Sequence, residues 1–253
     1  MGKIIAIVNQ KGGVGKTTTA VNLASAIGIA GKRVLLIDLD PQGNTTSGFG
    51  IQKNNKNTSY AVITGEISAT EAINKTEFKN VDVMPTTMDL AGAEIELISL
   101  NQRESALKQA LGSVRENYDF IFIDCPPSLG LITINALCAA DSVLVPIQCE
   151  YYALEGLSQL MASVRQIKVR YNSLIELEGV LLTMYDGRLN LTRQVVSEIK
   201  KFFGKKLYST VIPRAVRLSE APSFGTPIQY YDKHSKGAIA YNDLAKEFLK
   251  NNK

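Results

Sequence analysis

The sequence predicts an α/β fold, with a mostly parallel, twisted β-sheet covered by helices on both faces. Three observations carry this expectation. Runs of Ile, Val, Leu and Phe recur without polar alternation, as in strands buried on both faces. Longer amphipathic stretches alternate with them, the pattern of strand–helix–strand units. The first apolar run leads straight into a glycine-rich turn and then a helical stretch.

Strands are expected at Ile4–Asn9, Val34–Asp38, Val81–Met84, Phe120–Asp124, Ser142–Ile147, Gly179–Met184 and Tyr208–Ile212. Helices are expected over Lys16–Ala30, Ala91–Glu116, Ile132–Ala139, Leu154–Arg170, Leu191–Phe203 and Ser235–Lys250. The polar stretch Ile51–Asn57 reads as a surface excursion, and Arg214–Pro227, with Pro222, Gly225 and Pro227, as an extended or looped segment. No repeat or low-complexity linker divides the 253 residues, so residues 1–253 are expected to form one domain.

Composition narrows the chemistry. The single histidine, His234, cannot build a His-rich zinc site. No Gly-x-Ser-x-Gly elbow accompanies it. Cys125, Cys138 and Cys149 show no Cys-x-x-Cys spacing, which argues against a disulfide framework. No long apolar run or cleavable leader is present, and Ala6 stands where a myristoylation signal has Ser or Thr. A cytoplasmic protein is expected. Charge is uneven: from Arg188 onward there are 13 Lys+Arg and 5 Asp+Glu, a net of +8 within a chain of net +4. Such a bias suits a polyanionic partner.

The turn after the first strand is Lys11-Gly12-Gly13-Val14-Gly15-Lys16-Thr17-Thr18. Glycines there let backbone N–H groups converge on phosphate oxygens, and the following helix N-terminus adds partial positive charge. This is a P-loop, so the fold is expected to be that of a P-loop NTPase binding Mg-ATP. Lys16 is expected on the β- and γ-phosphates and Thr17 on Mg²⁺. The standard motif places its first glycine where Gln10 stands, and it has no counterpart of Lys11. Since Lys16 already fills the in-loop role, Lys11 is expected to project away from its own nucleotide, either into solvent or to the phosphates of a second copy, completing that site in trans across a homodimer.

Two acidic positions follow strands, where an open α/β sheet binds its ligands. Asp124, before Cys125-Pro126-Pro127, is the candidate carboxylate for Mg²⁺ or its bound water. Asp38 and Asp40 lie two apart and would share a face if both were in a strand. Asp40 is assigned to orienting the attacking water or accepting its proton, and Asp38 to the metal shell. No arginine finger is evident, so intrinsic turnover is expected to be slow.

A basic surface is expected from Arg188, Arg193, Lys200, Lys201 and Lys205, read as lying on one helix, and from Arg214, Arg217, Lys233 and Lys236. Such residues would contact phosphates with strong salt dependence. Few aromatic residues interleave with them, which disfavours single-strand stacking.

The stretches Lys11–Thr18, Asp38–Asn44, Ile123–Gly130, Gln148-Cys149-Glu150-Tyr151-Tyr152-Ala153-Leu154-Glu155-Gly156, Ile212-Pro213-Arg214 and Arg217–Pro222 together resemble the ParA/Soj family of chromosome- and plasmid-partitioning ATPases. The likeness runs from Met1 to near Lys250. It implies an ATP-dependent homodimer that binds double-stranded DNA without sequence preference and associates with the nucleoid. It also implies hydrolysis stimulated by a ParB-like partner, Pro213 near the adenine, and a DNA contact at Arg188. The N-terminal DNA-binding extension of larger plasmid relatives is not expected. The rival within the superfamily is a MinD-like membrane-associated ATPase with a lipid-inserting C-terminal helix. Here Asp243 and Glu247 interrupt the last helix, so its apolar face is expected to pack on the core and no membrane contact is expected.

Overall fold

The computed structural model describes residues 1–253 except Asn55, Leu100 and Tyr151. Seven strands, β1 (Lys3–Ile7), β2 (Val34–Asp38), β3 (Asn74–Lys75), β4 (Val81–Met84), β5 (Phe120–Asp124), β6 (Ser142–Gln148) and β7 (Glu176–Thr183), form one sheet in the order β3-β4-β2-β5-β1-β6-β7. All neighbours are parallel except the short edge pair β3–β4. Along β1, Ile4 and Ala6 enter one core while Ile5 and Ile7 enter the other. That double burial is why the strands read as unbroken apolar runs.

Helix Lys16–Ile29 packs on one face beside helix Lys236–Asn251. Thr19 and Tyr241 hydroxyls meet there at 3.2 Å, and Tyr241, Leu244 and Phe248 are fully buried. Helices Leu131–Ala139 and Ala153–Arg170 contribute to the other core.

Three expectations are corrected. Tyr208–Ile212 is not a strand: its ends bond β7 through Tyr208 N to Val180 O at 3.0 Å and Ile212 N to Leu182 O at 2.8 Å, beside isolated bridges Val180↔Leu207 and Tyr185↔Pro213, with no continuous ladder between. The Ser209 and Thr210 N–H groups donate to the Glu247 carboxylate at 2.7 and 2.8 Å, which takes them out of the ladder. The segment Ala91–Glu116, which includes Leu100 outside the described residues, breaks into Leu90–Glu96, a 3₁₀ turn at Leu97–Ser99, and Ala106–Leu111. Gln102 is left-handed there (φ 58°), and Asn135 ties both Arg103 O and Leu107 N. The segment Arg214–Pro227 is largely helical, with Val216–Glu220 followed by a 3₁₀ turn at Ala221–Phe224. Pro222 sits at the start of that turn, where its missing N–H costs no bond.

Among the described residues, short elements invisible in the pattern include helices Asn44–Gly48, Ser59–Ile63, Ala69–Ala72 and Ile228–Tyr231, and strand β3. The first matters most, because Asn-Thr-Thr-Ser-Gly is a poor helical sequence. It is held by tertiary hydrogen bonds to buried aspartates.

At the base of the sheet, Glu178 accepts from Ser142 Oγ at 2.7 Å, Asn252 Nδ2 at 2.6 Å and Lys3 Nζ at 2.5 Å, tying β1, β6 and β7 to the chain's C-terminal end. Burial raises its pKa, but the bonds from Lys3, Asn252 and Ser142 outweigh that and hold it below the ordinary value. A depressed carboxylate contributes stability above its unfolded pKa and loses it as pH falls through the folded value. Glu178→Gln should therefore lower the melting temperature at pH 7, by an amount matching about 1–3 kcal/mol. The gap from wild type should narrow below about pH 4.5. A gap that is equal at pH 7 and pH 4 would remove the ionic part of this account.

Candidate nucleotide site and basic surface

The loop between β1 and helix Lys16–Ile29 is shaped by Gly13 (φ 74°) and Gly15 (φ 86°), left-handed positions that favour glycine. A Cβ on Gly12 or Gly13 would meet no protein atom within 4 Å, so the backbone there faces open space. Asn9 anchors the loop's start, accepting from Lys11 N at 3.0 Å and donating to Pro146 O at 2.7 Å. Val14 is buried beneath, its carbonyl accepting from Thr183 Oγ1 at 2.8 Å.

A cavity of about 470 Å³ opens over this loop. Gly12, Gly13, Gly15, Lys16, Thr17 and Thr18 form one wall, and Asp40, Asn44 and Pro127 another. Pro213 lines the same cavity with Met184, Leu218 and Pro222. Lys16 is 7% exposed, and its Nζ donates to Lys11 O at 3.2 Å. Burial lowers its pKa, opposed by the charges of Asp124 and Asp40. Lys11 behaves differently. Its side chain is outside the cavity wall, half exposed, and its Nζ pairs with Glu150.

Asp38 and Asp124 end adjacent strands and stand opposite one another in register. Both are fully buried. Burial raises both pKa values, and for Asp124 the charge of Asp38 adds to it. Asp124 Oδ2 accepts from Thr45 Oγ1 at 2.8 Å, and the nearby Thr17 hydroxyl works with Thr45 to offset part of the upward shift of its pKa. Its Oδ1 is buried without a hydrogen-bond partner among the described residues. Asp38 Oδ2 accepts from both Thr46 N and Thr46 Oγ1 at 2.7 Å, and its Oδ1 from Asp40 N at 3.2 Å. With donors on both oxygens, Asp38 anchors helix Asn44–Gly48. Asp40 is past the end of β2, so the two do not share a strand face as expected. It lines the cavity, partly exposed, and accepts from Gln42 N at 3.0 Å.

The residues that sequence reasoning missed are Thr45, Thr46 and Thr183, each bonded to a part of the loop or its carboxylates, and Glu150 at Lys11. Nothing in periodicity marks them, because their roles depend on which strand ends are neighbours. Tyr151 in the same motif lies outside the described residues. Cys125 and Cys138 are buried, and burial pushes the Cys125 thiol well above its ordinary range.

The donor set fits Mg-nucleotide. The glycine loop has open backbone, Lys16 is a buried cation at the cavity wall, Thr17 lines the cavity, and Asp124 keeps one oxygen without a partner among the described residues. Among the described residues, no group of three or more His, Cys, Asp or Glu forms an all-protein metal cage. A metal here would rely on Thr17, Asp124 and the phosphates.

The basic residues divide between two regions. Arg188 precedes helix Asn190–Phe203 and Lys205 follows it, so neither is on that helix as expected. Arg188 is paired with Asp186 at 2.6 Å and Arg193 Nε donates to Gly187 O at 3.0 Å, which puts these two arginines on one turn. Lys201 pairs with Glu198 at 2.6 Å. Lys200 borders a groove with Lys205, Lys246 and Lys250. Arg217 lies apart on Val216–Glu220, paired with Glu220 at 2.8 Å and 6.0 Å from the Tyr231 ring centre.

Comparison with known proteins agrees with this geometry. Residues 2–177 match a family profile described as an AAA domain. The chain is 59% identical over 252 residues to the sporulation initiation inhibitor protein Soj of Bacillus subtilis, covering 99% of this chain and 100% of the relative. It is 51% identical over 251 residues to the chromosome partitioning protein ParA of Myxococcus xanthus, covering 99% and 89%. Among solved structures, cobyrinic acid a,c-diamide synthase from Mycobacterium smegmatis, with bound ATP analog and magnesium, superposes with TM-score 0.89 at 35% identity, covering 100% of this chain and 96% of that one. A P-loop beneath an open cavity, two buried strand-end aspartates and these whole-length likenesses make the chain a member of the ParA/Soj family of chromosome-partitioning ATPases.

Proposed function

We propose that residues 1–253 act as one ATP-driven switch: the ATP form is a homodimer that holds double-stranded DNA without sequence preference, and a ParB-like partner stimulates the hydrolysis that releases it. The observation that carries this reading is the division of labour between the two loop lysines. Lys16 is buried on the cavity wall, whereas Lys11 projects outside it. A cation that its own site does not use is suited to a site on a second copy.

Lys16 would hold the β- and γ-phosphates, with the N–H groups of Gly12 to Thr18 around them and Pro213 beside the base. Mg²⁺, held by Thr17 and by Asp124 directly or through water, would supply charge neutralisation at the phosphates. Asp40, reachable from the cavity, would orient the water and take its proton, while Asp38 keeps helix Asn44–Gly48 in place. The basic turn at Arg188 and Arg193, Lys200, Lys201 and, on its separate segment, Arg217 would contact DNA phosphates. This reading places the protein in the cytoplasm on the nucleoid. The packed C-terminal helix, with Tyr241, Leu244 and Phe248 fully buried, favours it over a lipid-inserting MinD-like role.

Sedimentation with ATP and with ADP tests the dimer. Wild type should dimerise only with ATP, and Lys11→Ala should remain monomeric while still binding nucleotide. A wild-type protein that stays monomeric with ATP would sink the proposal. On non-specific duplex, Arg188→Ala combined with Arg193→Ala should weaken binding equally for all sequences and reduce the log–log salt slope by about 0.9 per lost phosphate contact. Equal retention of wild type with ATP and ADP would remove the switch.

A further inference from the structure

The nucleotide site and the Arg217 segment are joined by a backbone contact between two glycines. Gly50 (φ 68°) closes the turn after helix Asn44–Gly48, and Gly225 (φ 62°) closes the 3₁₀ turn Ala221–Phe224. A Cβ built on Gly225 would lie 2.6 Å from Gly50 Cα and 2.9 Å from Gly50 N. One on Gly50 would lie 3.3 Å from Gly225 O. The two chains therefore touch main chain to main chain, where no side chain can yield. Both glycines are also left-handed, so the sequence is constrained twice at each position.

Each side of this contact is fastened to a functional group. On the near side, Ile51 N bonds Thr46 O at 3.2 Å and Gly50 N bonds Ser47 O at 3.0 Å. Thr46 donates from both N and Oγ1 to Asp38, and its Oγ1 accepts from Thr86 N at 3.0 Å. Its neighbour Thr45 holds Asp124. On the far side, Gly225 N bonds Pro222 O at 3.1 Å. The segment Val216–Phe224 carries Arg217, and Phe224 stacks on Tyr231 at 5.1 Å, the ring over which Arg217 lies. The same segment lines the nucleotide cavity through Leu218, Ser219 and Pro222.

We propose that the Gly50–Gly225 contact is a positioning joint: it ties the Thr45–Thr46 helix, held by Asp124 and Asp38, to the segment that presents Arg217, so that nucleotide occupancy sets the DNA affinity of that segment. The proposal rests on the reading above that ATP favours DNA binding and that Arg217 contacts DNA. A close-packed contact of this kind transmits displacement rather than absorbing it.

The test measures duplex affinity with a non-hydrolysable ATP analogue and with ADP, for wild type, Gly50→Ala, Gly225→Ala, Thr46→Val and Thr46→Ser. In wild type the ratio of the two affinities reports the switch. Both glycine variants and Thr46→Val should shrink that ratio about fivefold or more, within the usual range of coupling between sites. Thr46→Ser, which keeps the hydroxyl, should restore it. For the two glycine variants, analogue affinity should stay within about twofold of wild type. Circular dichroism and apo melting select the variants that fold, and the Thr46 pair decides the matter where a glycine variant does not. An unchanged ratio in folded Gly50→Ala or Thr46→Val overturns the joint, as does a loss of analogue affinity equal to the loss of DNA affinity. A wild-type ratio of one would instead overturn the underlying reading of function.

Discussion

Lys16→Ala is expected to lower ATP turnover by about 10²–10³-fold, the usual cost of removing one preorganised charge from a reacting centre, while leaving the nucleotide-free fold intact. The two halves of this expectation come from the same geometry. Lys16 is nearly inaccessible, yet among the described residues its ammonium makes one hydrogen bond, a long one to Lys11 O at 3.2 Å. Burial works against its charge, and the nearby Asp124 and Asp40 work for it. In the empty protein these terms oppose one another, so truncation removes the desolvation cost of the cation together with its attraction to Asp124 and Asp40. With phosphates present, the same cation would face several negative oxygens in a site shielded from water, where electrostatic interactions are strongest. Steady-state ATPase, nucleotide titration and apo melting measure the three quantities. An apo melting temperature that collapses with turnover would mean that Lys16 is structural. Lys16→Arg should not rescue, because a planar, forked guanidinium cannot substitute for a compact ammonium on this stem.

Most of the fold was legible because the physical signal was local. Apolar runs announced β2 and β5 at their observed ends, since burial on both faces leaves no alternation to misread. The glycine loop was legible for a similar reason: Gly13 and Gly15 occupy conformations that few other residues adopt, so their spacing is itself geometry. The failures share a different cause. Tyr208–Ile212 has strand composition but loses its ladder to Glu247, a residue nearly forty positions away. Asn44–Gly48 has turn composition but is made helical by Asp38 and a left-handed Gly43. Asp38 was placed near the metal from its position after a strand. The partners of its two oxygens tie it as well to Thr46 and Asp40 N, a role that position alone does not reveal. Arg188 and Lys205 were grouped with one helix by proximity in sequence, but the helix's N-terminus falls after Leu189 and its C-terminus at Gly204.

The contrast between the two buried aspartates leads to the second large effect. Asp124→Asn should raise the apo melting temperature at pH 8 yet abolish the stabilisation given by Mg-ATP and lower turnover by about 10²-fold or more. Asn is close to isosteric with Asp. Its carbonyl can keep the bond from Thr45 Oγ1, and its amide would fall where Oδ1 now has no partner. The substitution removes one of two carboxylates that face each other in register without solvent. An unpaired buried amide costs far less than an unpaired buried charge, so the empty protein gains. Ligand-dependent stabilisation grows only with the logarithm of ligand over Kd, so a lost metal carboxylate shows as a vanished shift on adding Mg-ATP. Asp38→Asn should do the reverse in the empty protein. Both its oxygens accept, Oδ2 from Thr46 N and Thr46 Oγ1 and Oδ1 from Asp40 N, so an amide there must point a donor at a donor, at a cost of about 1–3 kcal/mol. Differential melting of the two variants, with and without Mg-ATP, separates the roles. If both variants move the apo melting temperature in the same direction, the division of one carboxylate for the ligand and one for the neighbouring helix is wrong.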